Sequence, residues 1–199
     1  MKYEFEILKT EERYQGFLGL RSYQLRHSLF AGGESPVIVR ERVESYRAAS
    51  VLLYDPDLDQ VVLIEQFRIG ALDNPGGAWV VEVIGGIIDG NEAPDLVARR
   101  EAAEEAGCQI QELLPICEFM VSPGYSTERI YLFCGRVYSS GAEGIHGIDE
   151  EGEDIRVQVM AAQEAIEILY RGPITSTSTV ISLQWLALNR ERLRAEWRG

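Results

Sequence analysis

Apolar residues follow a period of two over much of the chain and a helical period toward its end. Tyr3 to Leu8 alternates. Gly16 to Phe30 carries Phe17, Leu18, Leu20, Tyr23, Leu25 and Leu29, and after the turn AGGESP the pattern resumes from Val37 to Val43. These segments read as strands. Too few residues surround them to cover a sheet on both faces. They predict an N-terminal antiparallel β arm over residues 1–45 that packs on another body, with a second subunit as the expected partner.

The pattern changes at Tyr46. AASVLLYD and QVVLIEQFR are apolar strands around the turn DPDLD, and WVVEVIG follows the loop ALDNPGGA. IQELLPICEFMVSP, RIYLFCGRVYS and EDIRVQVMA read as further strands. AQEAIEILYRG reads as a short helix. STVISLQWLALNRERLRAEW reads as a longer amphipathic one, with Val180, Leu183, Leu186, Leu188 and Leu193 available for burial. The expected class is α/β: a mixed sheet with helices on its faces over residues 46–199.

Composition fits an ordinary globular chain, with 46% hydrophobic residues in 199. No apolar run reaches the length of about 18 residues that marks a membrane span, so no membrane partner is expected. The first residues are too charged for a signal peptide. Cys108, Cys117 and Cys134 show no zinc spacing and read as buried free thiols, which fits a reducing cytoplasm. The net charge of −13 repels nucleic-acid phosphates, so polymers are not expected partners. An anionic small substrate requires local neutralisation by metal ions. Only His27 and His146 are present, which argues against a histidine-based triad.

The chemistry concentrates between Gly86 and Cys108. Gly86, Glu92, Arg100, Glu101, Glu104, Glu105 and Gly107 stand there at fixed offsets. At average residue usage, seven such matches arise roughly once in 10⁸ windows, so coincidence does not account for them. Asn91 is placed to cap a helix starting at Glu92, with Pro94 in its first turn and Gly107 at its left-handed end. Leu96, Val97, Ala102, Ala103 and Ala106 are available for a core. Glu101 and Glu105 share a face bordered by Glu104. Such like charges destabilise a helix unless something positive compensates, and oxygen donors at this density suit a hard divalent cation such as Mg²⁺. From Ser139 to Asp154 a glycine-rich loop carries Asp149, Glu150, Glu151, Glu153 and Asp154. A mobile carboxylate loop of this kind can close over substrate and hold a general base.

GIIDGNEAPDLVARREAAEEAGC resembles the Nudix box, the signature of hydrolases that cleave nucleoside diphosphates linked to another group. Ala102 and Cys108 stand where larger aliphatics are usual, and both remain apolar. The resemblance extends over most of the chain to the ADP-ribose pyrophosphatase branch. SPGYSTER is similar to that branch's substrate loop and HGIDEEGEDIRV to its catalytic loop. It implies the Nudix α/β/α sandwich and Mg²⁺-dependent hydrolysis of ADP-ribose to AMP and ribose 5-phosphate, with Mn²⁺ able to substitute.

The resemblance also implies site residues. Glu101 and Glu105 are the primary metal ligands, supported by Glu104, the Gly85 carbonyl and Glu153. Glu151 is the base, with Glu150 as an alternative. Glu92 and Arg100 orient the ligand carboxylates. Arg68 contacts phosphate or ribose. Arg40 and Glu41 bind the nucleotide, and Ser122 and Glu128 the terminal ribose. Phe17 and Leu18 stack on adenine from the partner of a homodimer with exchanged arms. Tyr125 adds a ring beside the sugar. Alternative readings are another nucleoside diphosphate sugar, such as GDP-mannose, or an inactive nucleotide-sugar sensor; such sensors commonly lose box glutamates, which are all present here.

Overall fold

The structure, a computed structural model, describes residues 3–148, 152–172, 174 and 176–198. The chain divides into two compact units, Met1–Arg47 with Met120–Arg129, and Ala48–Phe119 with Ile130–Gly199.

The first unit is a three-stranded antiparallel sheet in the order β1 (Phe5–Gln15), β2 (Gly19–His27), β3 (Ile38–Glu44). Register shifts between Ile7 and Lys9 and between Glu12 and Tyr14 bend β1. Residues 120–129 join this unit through backbone bonds. The Val43 N–H donates to the Tyr125 carbonyl at 2.7 Å and the Thr127 N–H to the Val43 carbonyl at 3.1 Å. The Thr127 hydroxyl accepts from the Ser45 N–H at 2.9 Å.

The second unit is built on an eight-stranded sheet. Its strands are β4 (Arg47–Asp55), β5 (Gln60–Phe67), β6 (Trp79–Glu82), β7 (Ile84–Ile87), β8 (Glu112–Met120), β9 (Arg129–Arg136), β10 (Gly144–His146) and β11 (Ile155–Ala161). The main order is β10-β11-β5-β4-β9-β8, with β6 on β5 and β7 on β4. Helix α1 (Pro94–Ala106) covers one face; α2 (Ala162–Arg171) and α3 (Thr177–Trp197) cover the other. The two cores alternate along single strands as the pleat requires. Val51, Leu53, Val62 and Ile64 pack with Val97, Ala98, Ala102 and Ala106 of α1. Leu52, Tyr54, Val61 and Leu63 pack with Ala165, Leu183, Leu186 and Leu193. This is the expected α/β/α sandwich.

Several local expectations need correction. WVVEVIG is two strands, because β6 pairs with β5 while β7 pairs with β4. Val83 at the break gives its N–H to the Thr179 hydroxyl at 2.9 Å. Leu188 is 87% exposed, since it lies about 200° around α3 from Leu186. Leu96 is exposed by the same logic on α1, and Cys117 is exposed on β8. The glycine-rich loop after Ser139 contains a short strand, β10, paired with β11.

Candidate active site

Helix α1 begins at Pro94 rather than Glu92, and Asn91 is not its cap. Ala93 takes that position in an extended conformation, without a side-chain bond. Proline excludes the helical region from the residue before it, which forces the start to Pro94. The turn ahead is closed by the Glu92 N–H to the Asp89 carbonyl at 3.0 Å. Gly107 ends the helix at φ 62°, as its left-handed role requires.

The helix presses Glu101 and Glu105 against β7. Glu105 is only 3% exposed, and its Oε2 accepts from the Gly85 N–H at 3.0 Å. Glu101 lies on Gly86, where a Cβ would overlap its carboxylate and come within 2.7 Å of its Cγ. Burial pushes the Glu105 carboxyl up to about 8, against the pull of the Gly85 N–H; Glu101 adds to the rise. Burial also raises Glu101, opposed by Arg100 and reinforced by Glu104. Arg100 bends back over the cluster, with Nη1 2.8 Å from Glu101 and 3.1 Å from Glu104, and Nη2 3.6 Å from Glu92. It ties the three acids together.

Two further groups face the same cluster. Glu105 feels the positive charge of Arg68 and the negative charge of Glu153. Arg68 Nε bonds Glu82 at 2.6 Å. Glu153 bonds Ile148 twice: its Oε2 accepts from the Ile148 N–H at 3.2 Å and its own N–H donates to the Ile148 carbonyl at 3.3 Å. Glu151 and the alternative base Glu150 lie outside the described residues.

Among the described residues, no three acidic, histidine or cysteine side chains converge tightly enough to close a cation shell by themselves. The donors nonetheless fit a hard cation. Glu105 is buried and Glu101 largely so, loss of water raises both carboxyls, and Gly86 leaves room for one of them against the backbone. Mg²⁺ is typically held by one or two carboxylates, with water and substrate phosphates completing the shell.

The first unit holds the other expected residues. Arg40 and Glu41 line a pocket of about 170 Å³ with Pro123, Gly124 and Tyr125, floored by Ile7 and Leu25. Ser122 and Glu128 lie on the same loop. The Ser122 carbonyl accepts from the Tyr125 and Ser126 N–H groups, and the Val121 N–H donates to the Glu128 carbonyl. Phe17 is 73% exposed, its ring 5.2 Å from Tyr46, and the Tyr46 hydroxyl donates to its carbonyl at 2.8 Å. Leu18 beside it is also exposed. Arg42, which the sequence did not single out, stacks 4.7 Å over Tyr23 and bonds Glu44.

Glu82 was likewise missed. It is a polar residue inside an apolar strand, in WVVEVIG. That interruption was the available signal.

The NUDIX domain profile matches residues 45–177. An ADP-ribose pyrophosphatase of Haemophilus influenzae is 43% identical over 198 residues, covering 98% of this chain and 91% of that protein. A GDP-mannose pyrophosphatase of Enterobacter sp. (strain 638) is 32% identical, covering 95% of this chain and 98% of that protein. A crystal structure of an ADP compounds hydrolase superposes with a TM-score of 0.71 at 20% identity, covering 98% of this chain and 97% of that one. That last likeness is one of fold.

Proposed function

The chain belongs to the NUDIX family of hydrolases, and from that premise we propose that it cleaves the pyrophosphate bond of ADP-ribose. One water is consumed, and AMP and ribose 5-phosphate are released. The observation that carries this reading is the 43% identity to an ADP-ribose pyrophosphatase along nearly the whole of both chains.

A divalent cation serves the reaction, Mg²⁺ in the first place and Mn²⁺ as a substitute. Glu101 and Glu105 hold it, with the Gly85 carbonyl, Glu104 and Glu153 in support. When bound, it neutralises the phosphoryl oxygens and acidifies water. The protein's own groups do the rest. Arg68, fixed by Glu82, meets a phosphoryl oxygen with a guanidinium. Arg100 and Glu92 keep the helix carboxylates in place. Glu151 takes the proton from the attacking water. Arg40 and Glu41 read the nucleotide, Ser122 and Glu128 hydrogen-bond the terminal ribose, and Phe17 and Leu18 stack on adenine.

Two further parts of the reading concern context. The chain acts as a homodimer with exchanged arms. Phe5, Ile7, Tyr14, Phe17 and Phe30 of the arm are all exposed, more apolar surface than a solitary three-stranded sheet ordinarily leaves in water. It works in the cytoplasm, in keeping with three free cysteines.

The similarity to a GDP-mannose pyrophosphatase supports a second substrate reading. Hydrolysis of ADP-ribose, other ADP-sugars and GDP-mannose in ¹⁸O-labelled water, with mass analysis of the products, decides between them. AMP and ribose 5-phosphate from ADP-ribose, at the highest kcat/KM of the panel, are expected. Preference for GDP-mannose would replace the first reading with the second.

A further inference from the structure

In the three-stranded sheet, β3 sets Arg40 against Tyr23 of β2, and β1 sets Ile7 against Leu25. The period of two then puts Arg40, Arg42, Tyr23, Leu25 and Ile7 on one face. All of them line the first unit's pocket of about 170 Å³. A site that encloses a drug-sized ligand runs to about 300–1,000 Å³, so this one suits a single ring system. Phe5, Ile7, Leu25 and Pro123 make most of its wall apolar.

Arg42 is the polar wall, and it is held in place from two sides. Its Nε and Nη2 donate to the two carboxylate oxygens of Glu44 at 2.9 and 3.1 Å, and Nη2 also donates to the Tyr23 hydroxyl at 2.7 Å. That hydroxyl donates to Glu44 at 2.8 Å, which closes the circuit. The guanidinium carbon lies over the Tyr23 ring, 4.7 Å from its centre. A simple surface ion pair contributes little. A two-pronged one, braced by a third group, fixes the plane of the guanidinium. Tyr23 is 7% exposed, whereas the Arg42 side chain is 45% exposed. Tyr23 therefore covers one side of the guanidinium and the other stays open. Glu44 already offsets its charge, so a phosphate gains little there. What remains on offer is a flat, delocalised surface for stacking.

We propose that this pocket takes the base of the nucleoside diphosphate and that Arg42 stacks on it, as a platform backed by Tyr23 and locked by Glu44. A base has two faces, which leaves the second for Phe17. The inference rests on the pyrophosphatase reading and adds a substrate-binding residue outside the Nudix box and both loop motifs.

Arg42→Met and Arg42→Lys test it on the full chain. Lysine keeps a positive charge for Glu44 but has no plane, so it retains the ion pair and removes the platform. In both variants KM for ADP-ribose should rise about 5- to 100-fold, the range that stacking supplies. kcat should stay within about twofold, because binding is lost equally from the ground and transition states. Titration calorimetry should show AMP binding weakened by a similar factor and binding of ribose 5-phosphate, which has no base, unchanged. A purely structural Arg42 gives a lower melting temperature in Arg42→Met, with KM and the AMP Kd near wild type. That outcome overturns the proposal, as does a lysine variant with wild-type KM or an equal loss of ribose 5-phosphate binding. Wild-type protein that fails to cleave ADP-ribose overturns the substrate reading instead. AMP binding then decides the role of Arg42: weakening in both variants upholds it, and binding that is unaltered, or absent from wild type, overturns it.

Discussion

The carboxylate of Glu101 rests on the bare α-carbon of Gly86, in the space that any other residue's Cβ would fill. In the sequence Gly86 opens the motif and Glu101 stands well inside it; the fold brings the two into contact. Glu101 Cγ is also within 2.7 Å of that position, so rotating the carboxylate alone cannot relieve the overlap. Gly86→Ala should displace Glu101 and lower kcat by roughly 100-fold, while circular dichroism shows the fold retained. Calorimetry should show weaker Mg²⁺ binding. Wild-type kcat in this variant would mean that Glu101 has no positional role.

Glu105 gives a pH dependence with a definite sign. Its carboxyl titrates near 8 in the folded protein against an ordinary value of 4.5, chiefly because it is buried. The folded state thus holds a proton that the unfolded chain releases. Its stabilising contribution is complete below about 4.5 and is lost as pH rises through about 8. The metal-free protein should lose melting temperature across that window, and Mg²⁺ should flatten the decline by competing with the proton. Glu105→Gln should flatten it too, and should lower kcat by roughly 100-fold or more. A melting profile identical in wild type and variant would remove Glu105 as the source.

What was legible in the sequence was whatever depended on spacing along one element. Glu101 and Glu105 share a face because four residues make about one helical turn, and Gly107 turns left-handed where the helix stops. The errors came from neighbours. Asn91 looked like a cap until Pro94 dictated the backbone of Ala93. WVVEVIG looked continuous because periodicity does not reveal that its halves pair with different strands. Glu82 shows itself in the sequence only as a polar interruption of an apolar strand, because no local pattern reports its partner Arg68 across the sheet.

Asp59 ties both helices of the second face to the β4–β5 turn. It adopts φ 59°. Its carbonyl accepts from the Ala162 N–H at the start of α2. Its carboxylate binds Arg190 and, at 3.0 Å, Arg194 of α3, and accepts from the Tyr54 hydroxyl at 2.8 Å. The Arg190 hydrogen bond holds this carboxyl below its ordinary 3.8. Its stabilisation is therefore present above that value and lost as pH falls through the lower folded pKa. Asp59→Ala should cost about 2 kcal/mol in urea unfolding at neutral pH. Asp59→Asn, which tolerates the left-handed backbone, should cost less. Equal losses would assign the effect to the charged carboxylate alone.

Residues 1–30 contain β1, β2 and Phe17, so their removal should act on assembly and on nucleotide binding together. Stacking of a base on an aromatic ring contributes about 1–3 kcal/mol, a KM change of roughly tenfold toward the lower end of that range. The truncated protein should sediment as a weaker dimer and show a KM for ADP-ribose raised by at least about that factor. Phe17→Ala separates the two effects. The ring is 73% exposed and touches Tyr46 on one side only, so the fold loses little when it goes. The variant should keep the dimer and raise KM, with kcat nearly unchanged. A truncated protein that stays fully dimeric with wild-type KM removes the arm from the site. A Phe17→Ala enzyme with wild-type KM leaves the arm in assembly and takes adenine stacking away from it.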